Sequence, residues 1–206
     1  MNDMHGNLLK TLRQALLERR KSFVADPSYA LSFDKLTAEL RHFLIQQRPL
    51  VVALYIPIQA EPDLRPMLLS WVAEATTRKL ALPFARPDQR LDFYHWQEND
   101  SLVLSKHGVP EPNPNNPAST CIIPDYILIP CVGWSSSNEN RQHRYWRLGY
   151  GGGYFDRTLS ALRKVKPTIK CVGIAFDWQK LTDAQWQPQA HDEPLDFLLT
   201  ESGLKR

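Results

Sequence analysis

Long apolar runs are missing from this sequence, and no stretch approaches the ~20 residues that a membrane-spanning helix needs. The first residues, MNDMHGNLLKTLRQALLERRKSF, also lack an apolar signal core, because charges interrupt the apolar residues at helical spacing. A cytoplasmic protein that does not enter a membrane is expected. Cysteine is scarce: Cys121, Cys131 and Cys171 form no CxxC pair, and each sits in or beside an apolar run. This argues against a disulfide frame or a zinc site and for buried thiols in a reducing compartment. Excess charge is small as well, +3 over 206 residues, which suits anionic small molecules and not a nucleic-acid partner. Arg19, Arg20 and Lys21 accordingly read as a solvated helix face. Glycine is the last shortage. There are nine, and Gly149, Gly151, Gly152 and Gly153 crowd into RLGYGGGYFDR, Arg147 to Arg157.

Hydrophobic residues make up 43%, enough for a core, and the length suits one domain over residues 1–206, expected as a monomer. Leu8, Leu9, Leu12, Leu16 and Phe23 mark one face of a first helix. Ser32 is placed to cap a second, with Phe33, Leu36, Leu40, Phe43 and Leu44 inward. LVVALYI (50–56) reads as a strand buried on both faces, and Leu64, Met67, Leu68, Trp71, Val72 and Ala75 mark a third helix. KLALP, LDFYHW and SLVLS follow as strands. A proline-rich surface crossing, GVPEPNPNNPAS, comes next. YILIPCV (126–132) and CVGIAF (171–176) are further buried strands, and DFLLT (196–200) closes an edge. Buried strands alternating with amphipathic helices predict an α/β fold: an open, mostly parallel, Rossmann-like sheet flanked by helices on both faces. Ligands of such sheets sit beyond the carboxyl ends of the strands. Glu61, the segment from Arg147 to Asp156 and the run from Asp177 to Asp192 each follow a buried strand, so they are expected to converge.

Glycine permits positive φ angles and lets a ligand reach the backbone without meeting a Cβ. Successive amides in such a loop can cradle phosphate oxygens, and a helix over YFDRTLSALRK would point its positive end at the same hollow. Arg147 adds a fork of donors, and Asp156 can hold a divalent metal. A valine at Gly152 is then expected to obstruct the phosphates and to meet a forbidden backbone angle. The pattern is neither GxxxxGK[ST] nor a clean GxGxxG, so a plain tight turn stands beside the phosphate cradle.

RLGYGGGYFDR resembles the signature of the 5-formyltetrahydrofolate cyclo-ligase family, the methenyltetrahydrofolate synthetases. LRQALLERR resembles that family's first helix, the strand and turn before Glu61 its folate-contacting segment, GVPEP its glycine-to-EP element, and AHDEPLDFLLTE its ending. The resemblance spans nearly the whole chain in order. It implies ATP as co-substrate, a folate substrate and Mg²⁺. It places ATP on the loop Arg147, Leu148, Gly149, Tyr150, Gly151, Gly152, Gly153, Tyr154 and Phe155 and on Arg13. Folate falls to Ile56, Glu61 and the stretch from Tyr150 to Tyr154, magnesium to Asp156 and Asp192, and the catalytic positions to Arg147 and Tyr154. The family's lysine four residues before Arg13 is Leu9 here, so either Lys10, one place out of register, substitutes for it or that phosphate contact is weakened. SSSNENRQHRYW (135–146) is longer and more polar than the family's link into the loop, and reads as a mobile flap or a solvated insertion.

The implied reaction converts 5-formyltetrahydrofolate to 5,10-methenyltetrahydrofolate, with release of ADP and phosphate. It asks for charge neutralisation and alignment, not for a protein nucleophile, and none is evident. A noncatalytic nucleotide-binding module on the same fold is the alternative, and an isomerase or CoA-transferase relative a third. His191 beside Asp192 reads equally as a base or as a structural hydrogen-bonding group, and Trp96 as core or as a pterin-stacking ring.

Overall fold

The computed structural model describes residues 2–139 and 142–205. Helices α1 (Asn2–Val24) and α2 (Ser28–Gln47) lead into strand β1 (Val51–Ala53), and α3 (Arg65–Ala73) crosses over to β2 (Lys79–Ala85). After β3 (Leu91–Trp96) comes a small antiparallel hairpin, β4 (Leu102–Leu104) and β5 (Pro110–Pro112). Strand β6 (Tyr126–Pro130) is followed by a second hairpin, β7 (Gly133–Glu139) with β8 (Gln142–Leu148), and then by α4 (Tyr154–Val165). β9 (Lys170–Ile174), a 3₁₀ turn over Asp177–Gln179, β10 (Phe197–Thr200) and β11 (Gly203–Lys205) complete the chain.

Seven strands form the main sheet in the order β11-β10-β9-β6-β1-β2-β3. The five inner strands run parallel, and the edge strands β3 and β11 are antiparallel to their neighbours. Alternation along the strands divides the core in two. Val52, Leu128 and Val172 face α2 and α3, packing with Leu40, Phe43, Leu68 and Trp71. Ala53, Ile127, Ile129 and Cys171 face Leu159 of α4. Both faces are therefore covered, as the continuous apolar runs require of a parallel sheet. No helix among the described residues is long and apolar enough to cross a membrane.

Several boundaries depart from the sequence reading. Helix α2 begins at Ser28, not at Ser32: Pro27 presets a helical φ of −55°, and the Asp26 carboxylate accepts from the amide and hydroxyl of Ser28 at 2.8 and 2.6 Å. β1 is shorter than LVVALYI because Tyr55 turns out of the ladder, its hydroxyl donating to the Pro62 carbonyl at 3.1 Å. The polar insertion at 135–146 forms the larger part of the β7–β8 hairpin; its residues 140 and 141 lie outside the described residues. Cys131 and Cys171 are buried, whereas Cys121 is exposed, bridging to Tyr94 on the outer side of edge strand β3.

Candidate active site

Strands β1 and β6 lie side by side, and the chain leaves them in opposite directions, β1 towards β2 and β6 towards β9. Such a reversal opens a crevice beyond the carboxyl ends of the two strands. A cavity of about 520 Å³ occupies it. Its walls carry Arg13 from α1, Ile56 and Glu61 from beyond β1, the whole run from Arg147 to Asp156, and Asp192. The segments that follow β1 and β6 thus meet with Gln189, His191 and Asp192 from the run after β9. Lys10 faces a smaller neighbouring groove, together with Arg13, Lys21 and Gln59, while Leu9 is the residue on the cavity wall.

The β7–β8 hairpin delivers the glycine loop. Arg147, at the end of β8, is nearly buried, stacks 5.3 Å from the Phe155 ring and reaches Asp156 Oδ2 with Nη2 at 3.2 Å. A Cβ at Gly149 would lie 2.1 Å from Arg147 Nη1, so the glycine leaves room for the guanidinium. Arg13 ties the loop to α1 by donating from Nε to the Gly149 carbonyl at 2.8 Å. Positive φ angles occur at Gly151 (98°) and Gly153 (64°), the latter starting α4 in a left-handed conformation. Gly152 does not share them. The forbidden angle expected for a valine there belongs instead to its neighbours, and a Cβ at Gly152 would meet the Tyr154 ring at 3.0 Å.

Glu61 stands at the end of a strained turn. Its amide donates to the Ile58 carbonyl at 3.0 Å, and between them Gln59 and Ala60 both have positive φ, 49° and 61°. Non-glycine residues in that region cost of order 1–3 kcal/mol each, which the surroundings must supply. The buried carboxylate accepts from the Ile58 amide at 2.9 Å and from the Tyr150 hydroxyl at 2.7 Å. Burial pushes its pKa up, while these two donors and then Arg20 and Arg147 pull against that rise. Burial likewise raises the Tyr150 phenol, helped by the charge of Glu61. It pushes the Cys131 thiol up to about 12, so that Cys131 is no nucleophile.

Asp156 lies in the first turn of α4, and its Oδ1 accepts the Glu193 amide at 3.3 Å, which draws the segment bearing Asp192 against the helix. Asp192 Oδ2 accepts from the Gln189 amide at 2.7 Å. Among the described residues no group of three or more His, Cys, Asp or Glu side chains forms a ready metal cage. Two carboxylates on one cavity wall nevertheless fit Mg²⁺, which usually takes one or two carboxylates and completes its shell with waters and substrate phosphates. The arginine held below its ordinary pKa is Arg13, by burial first and by Arg147 in part, with Asp192 opposing.

Two residues carry more weight here than their sequence context suggested. Arg20 is buried, not solvated, and contacts the Tyr150 hydroxyl. His107, to which no role was assigned, lies on the cavity wall with Nε2 3.0 Å from the Tyr154 hydroxyl. The GVPEP spacing marked this neighbourhood without identifying the histidine. Trp96, by contrast, packs in the core with Leu80 and Leu82, which rules out a stacking role in the cavity. His191 is 75% exposed on the rim, 3.8 Å from Asp192 Oδ1.

Comparison with known proteins shows the family. The model of the 5-formyltetrahydrofolate cyclo-ligase family matches residues 7–201. A 5-formyltetrahydrofolate cyclo-ligase of Mycolicibacterium smegmatis is 30% identical over 195 residues, covering 92% of this chain and 91% of that protein. The solution structure of the Aquifex aeolicus 5,10-methenyltetrahydrofolate synthetase superimposes with a TM-score of 0.70 at 26% identity, over 97% of this chain and 92% of the other. A structure of the Mycoplasma pneumoniae 5,10-methenyltetrahydrofolate synthetase gives 0.69 at 22% identity, over 94% and 98%, and speaks for the fold alone.

Proposed function

The chain belongs to the 5-formyltetrahydrofolate cyclo-ligase family, a family of enzymes, and from that premise we propose that it converts 5-formyltetrahydrofolate and ATP to 5,10-methenyltetrahydrofolate, ADP and phosphate. One observation carries this reading: a glycine loop bracketed by Arg147 and Asp156 shares a single cavity with a buried carboxylate, Glu61. An anionic, phosphate-bearing ligand suits the first wall, and a heterocycle with donor groups suits the second.

The N5-formyl group is an amide, whose carbon is a poor electrophile and whose oxygen cannot leave unaided. Attack of the formyl oxygen on the γ-phosphorus of ATP breaks the bond to the β–γ bridging oxygen and releases ADP. N10 then attacks the activated carbon, the C–O bond breaks with departure of phosphate, N10 loses its proton, and the methenyl bridge closes as a cation. Arg147 offsets charge on the transferred group, and Arg13 holds the loop and a phosphate oxygen together. Tyr154, at the start of α4, and Tyr150 border both ligands, and Ile56 packs against the folate. Lys10 would reach the nucleotide from the neighbouring groove. Asp156 and Asp192 would hold Mg²⁺, which when bound neutralises phosphate charge and orients the γ-phosphoryl group. Glu61 accepts hydrogen bonds from the donor edge of the pterin and turns the formyl oxygen towards the loop.

The test is ring closure followed by the absorbance of the methenyl cation, with phosphate counted in the same tube. One phosphate per bridge and an absolute need for ATP and a divalent metal are expected, and Glu61→Gln should weaken folate use well beyond nucleotide binding. Closure without ATP, or ATP hydrolysis without closure, would sink the reading.

A further inference from the structure

Arg20 sits on α1 between two exposed basic residues, Arg19 and Lys21, yet is 2% exposed itself. Its guanidinium donates to three separate segments. Nε reaches the Gln59 carbonyl at 2.9 Å, Nη1 the Cys131 carbonyl at 3.3 Å, and Nη2 the Tyr150 hydroxyl oxygen at 2.5 Å. These are the strained turn before Glu61, the end of β6 and the glycine loop. Arginine has donors only, so Tyr150 must accept from it, and the phenolic proton is left for Glu61 Oε1. With Ile58 donating to Oε2, each carboxylate oxygen of this cavity-lining residue keeps one lone pair that these donors do not use.

We propose that Arg20 is a positioning residue for folate: it braces the Gln59–Ala60 turn, fixes the Tyr150 hydroxyl as a donor, and so holds Glu61 as an oriented anion facing the pterin. This rests on the folate-side reading of Glu61 given above. It also gives the two ligands a physical link, since the tyrosine that orients Glu61 belongs to the loop that takes the nucleotide.

The groups around Glu61 support the assignment. Arg20 faces it from α1, Arg147 from β8, Tyr150 from the loop, Tyr55 from beyond β1 and Cys131 from beyond β6. Burial raises both tyrosines and the thiol, keeping them neutral near pH 7, so only the two arginines supply positive charge. Arg147 is already paired with Asp156. Loss of Arg20 would therefore let Glu61 take up a proton at higher pH.

The experiment compares wild type with Arg20→Met, Arg20→Lys, Tyr150→Phe and the Arg20→Met/Tyr150→Phe double variant. Arg20→Met should raise KM for 5-formyltetrahydrofolate about tenfold or more, with KM for ATP moving by less than about threefold, as loss of a buried charged hydrogen bond on the folate side implies. The acid limb of kcat/KM for folate should move to higher pH. Arg20→Lys should restore that limb through its charge but only part of the KM, lacking the planar fork. The double variant should be no worse than the worse single one, because both act through Glu61. Equal rises in both KM values with an unmoved acid limb, or additive effects in the double variant, would overturn the proposal. Should Arg20→Met fail to fold by circular dichroism, Tyr150→Phe carries the same test: a moved acid limb supports the proposal and an unmoved one overturns it. Should the wild type form no methenyl product, the proposed reaction fails by itself. Calorimetric binding of 5-formyltetrahydrofolate to the same variants then decides the role of Arg20, with loss of affinity in Arg20→Met supporting it and unchanged affinity overturning it.

Discussion

A single methyl group distinguishes the roles of the loop glycines. At Gly149 it would lie 2.1 Å from the Arg147 guanidinium, which is almost buried and has little room to retreat. The backbone angle there is ordinary, so Gly149→Ala should fold while displacing Arg147 from Asp156. Nucleotide affinity is expected to fall about tenfold or more, the loss of one charged hydrogen bond, with the melting temperature little changed. Gly152→Val should act in the same direction for a different reason, its branches pressing on the Tyr154 ring. At Gly151 and Gly153 any side chain adds the cost of a left-handed backbone, about 1–2 kcal/mol, and stability should fall with affinity. Calorimetric titration alongside thermal melting separates the cases. Unaltered nucleotide affinity in both Gly149→Ala and Gly152→Val would make the loop a turn and not a cradle. The sequence made this loop conspicuous because the other glycines are so few. Arg20 was illegible for the opposite reason. Its burial depends on Gln59, Cys131 and Tyr150, which lie 39, 111 and 130 residues away, and a run of three basic residues on a helix gives no sign of which one turns inward.

The elements that read most clearly were those whose own residues settle their environment. YILIP and KCVGI are apolar on both faces and stand in the middle of the sheet. The β7–β8 hairpin escaped notice because serine, asparagine and glutamine have weak strand preference, and its stability comes from pairing with itself and from Trp134, Tyr145 and Trp146 packed inward. While the carboxyl ends of the parallel strands bear the cavity, their amino ends are clamped by aspartates. Asp125, before β6, accepts from the amides of Leu50 and Val51 at 2.9 Å each and from Lys166 at 2.7 Å. Asp196, before β10, accepts from the Cys171 amide at 2.9 Å, from Arg163 at 2.9 Å and from Lys170 at 3.1 Å. Burial opposes ionisation of Asp196, but these donors outweigh it and hold its pKa below the usual aspartate range. A depressed folded-state pKa stabilises the fold above the unfolded value and loses that contribution as pH falls through the folded one. Asp196→Asn should therefore cost roughly 2 kcal/mol near neutral pH, the scale of a charged hydrogen bond lost in a partly buried setting. The gap from wild type should narrow in acid, below about pH 4, as the native carboxylate is itself protonated. Urea melts at both pH values test this, and a gap of constant size would remove Asp196 from the acid sensitivity of the fold.

Across the whole molecule, the cavity is assembled from segments that are distant in the chain: α1 supplies Arg13, the turn after β1 supplies Glu61, β8 and α4 flank the loop, and the run after β9 brings Asp192. Arg13 was marked only by the family resemblance, whereas the place of Glu61, the loop and Asp192 after buried strands was legible from the alternation of helix and strand. Their mutual contacts were not, because the Glu193 amide on Asp156 and the Arg13 donor on Gly149 span 37 and 136 residues. A ligand that bridges such segments binds the folded state alone and must stabilise it. Nucleotide with Mg²⁺ at a hundred times its dissociation constant would add about 2.7 kcal/mol, which for a chain of this length raises the melting temperature by roughly 5–10 °C. In the proposed site part of that rise belongs to the metal, and that part depends on the two aspartates. Asp156→Asn and Asp192→Asn should melt near the wild type without ligand. With ATP alone each should gain what the wild type gains without metal, or slightly more, because a negative charge has left the phosphate wall. Adding Mg²⁺ should then bring little further increase, and turnover should fall sharply in both. A full metal-dependent rise in either variant would take that aspartate out of the metal site and leave it a structural acceptor, for the Glu193 amide in the case of Asp156 and for the Gln189 amide in the case of Asp192.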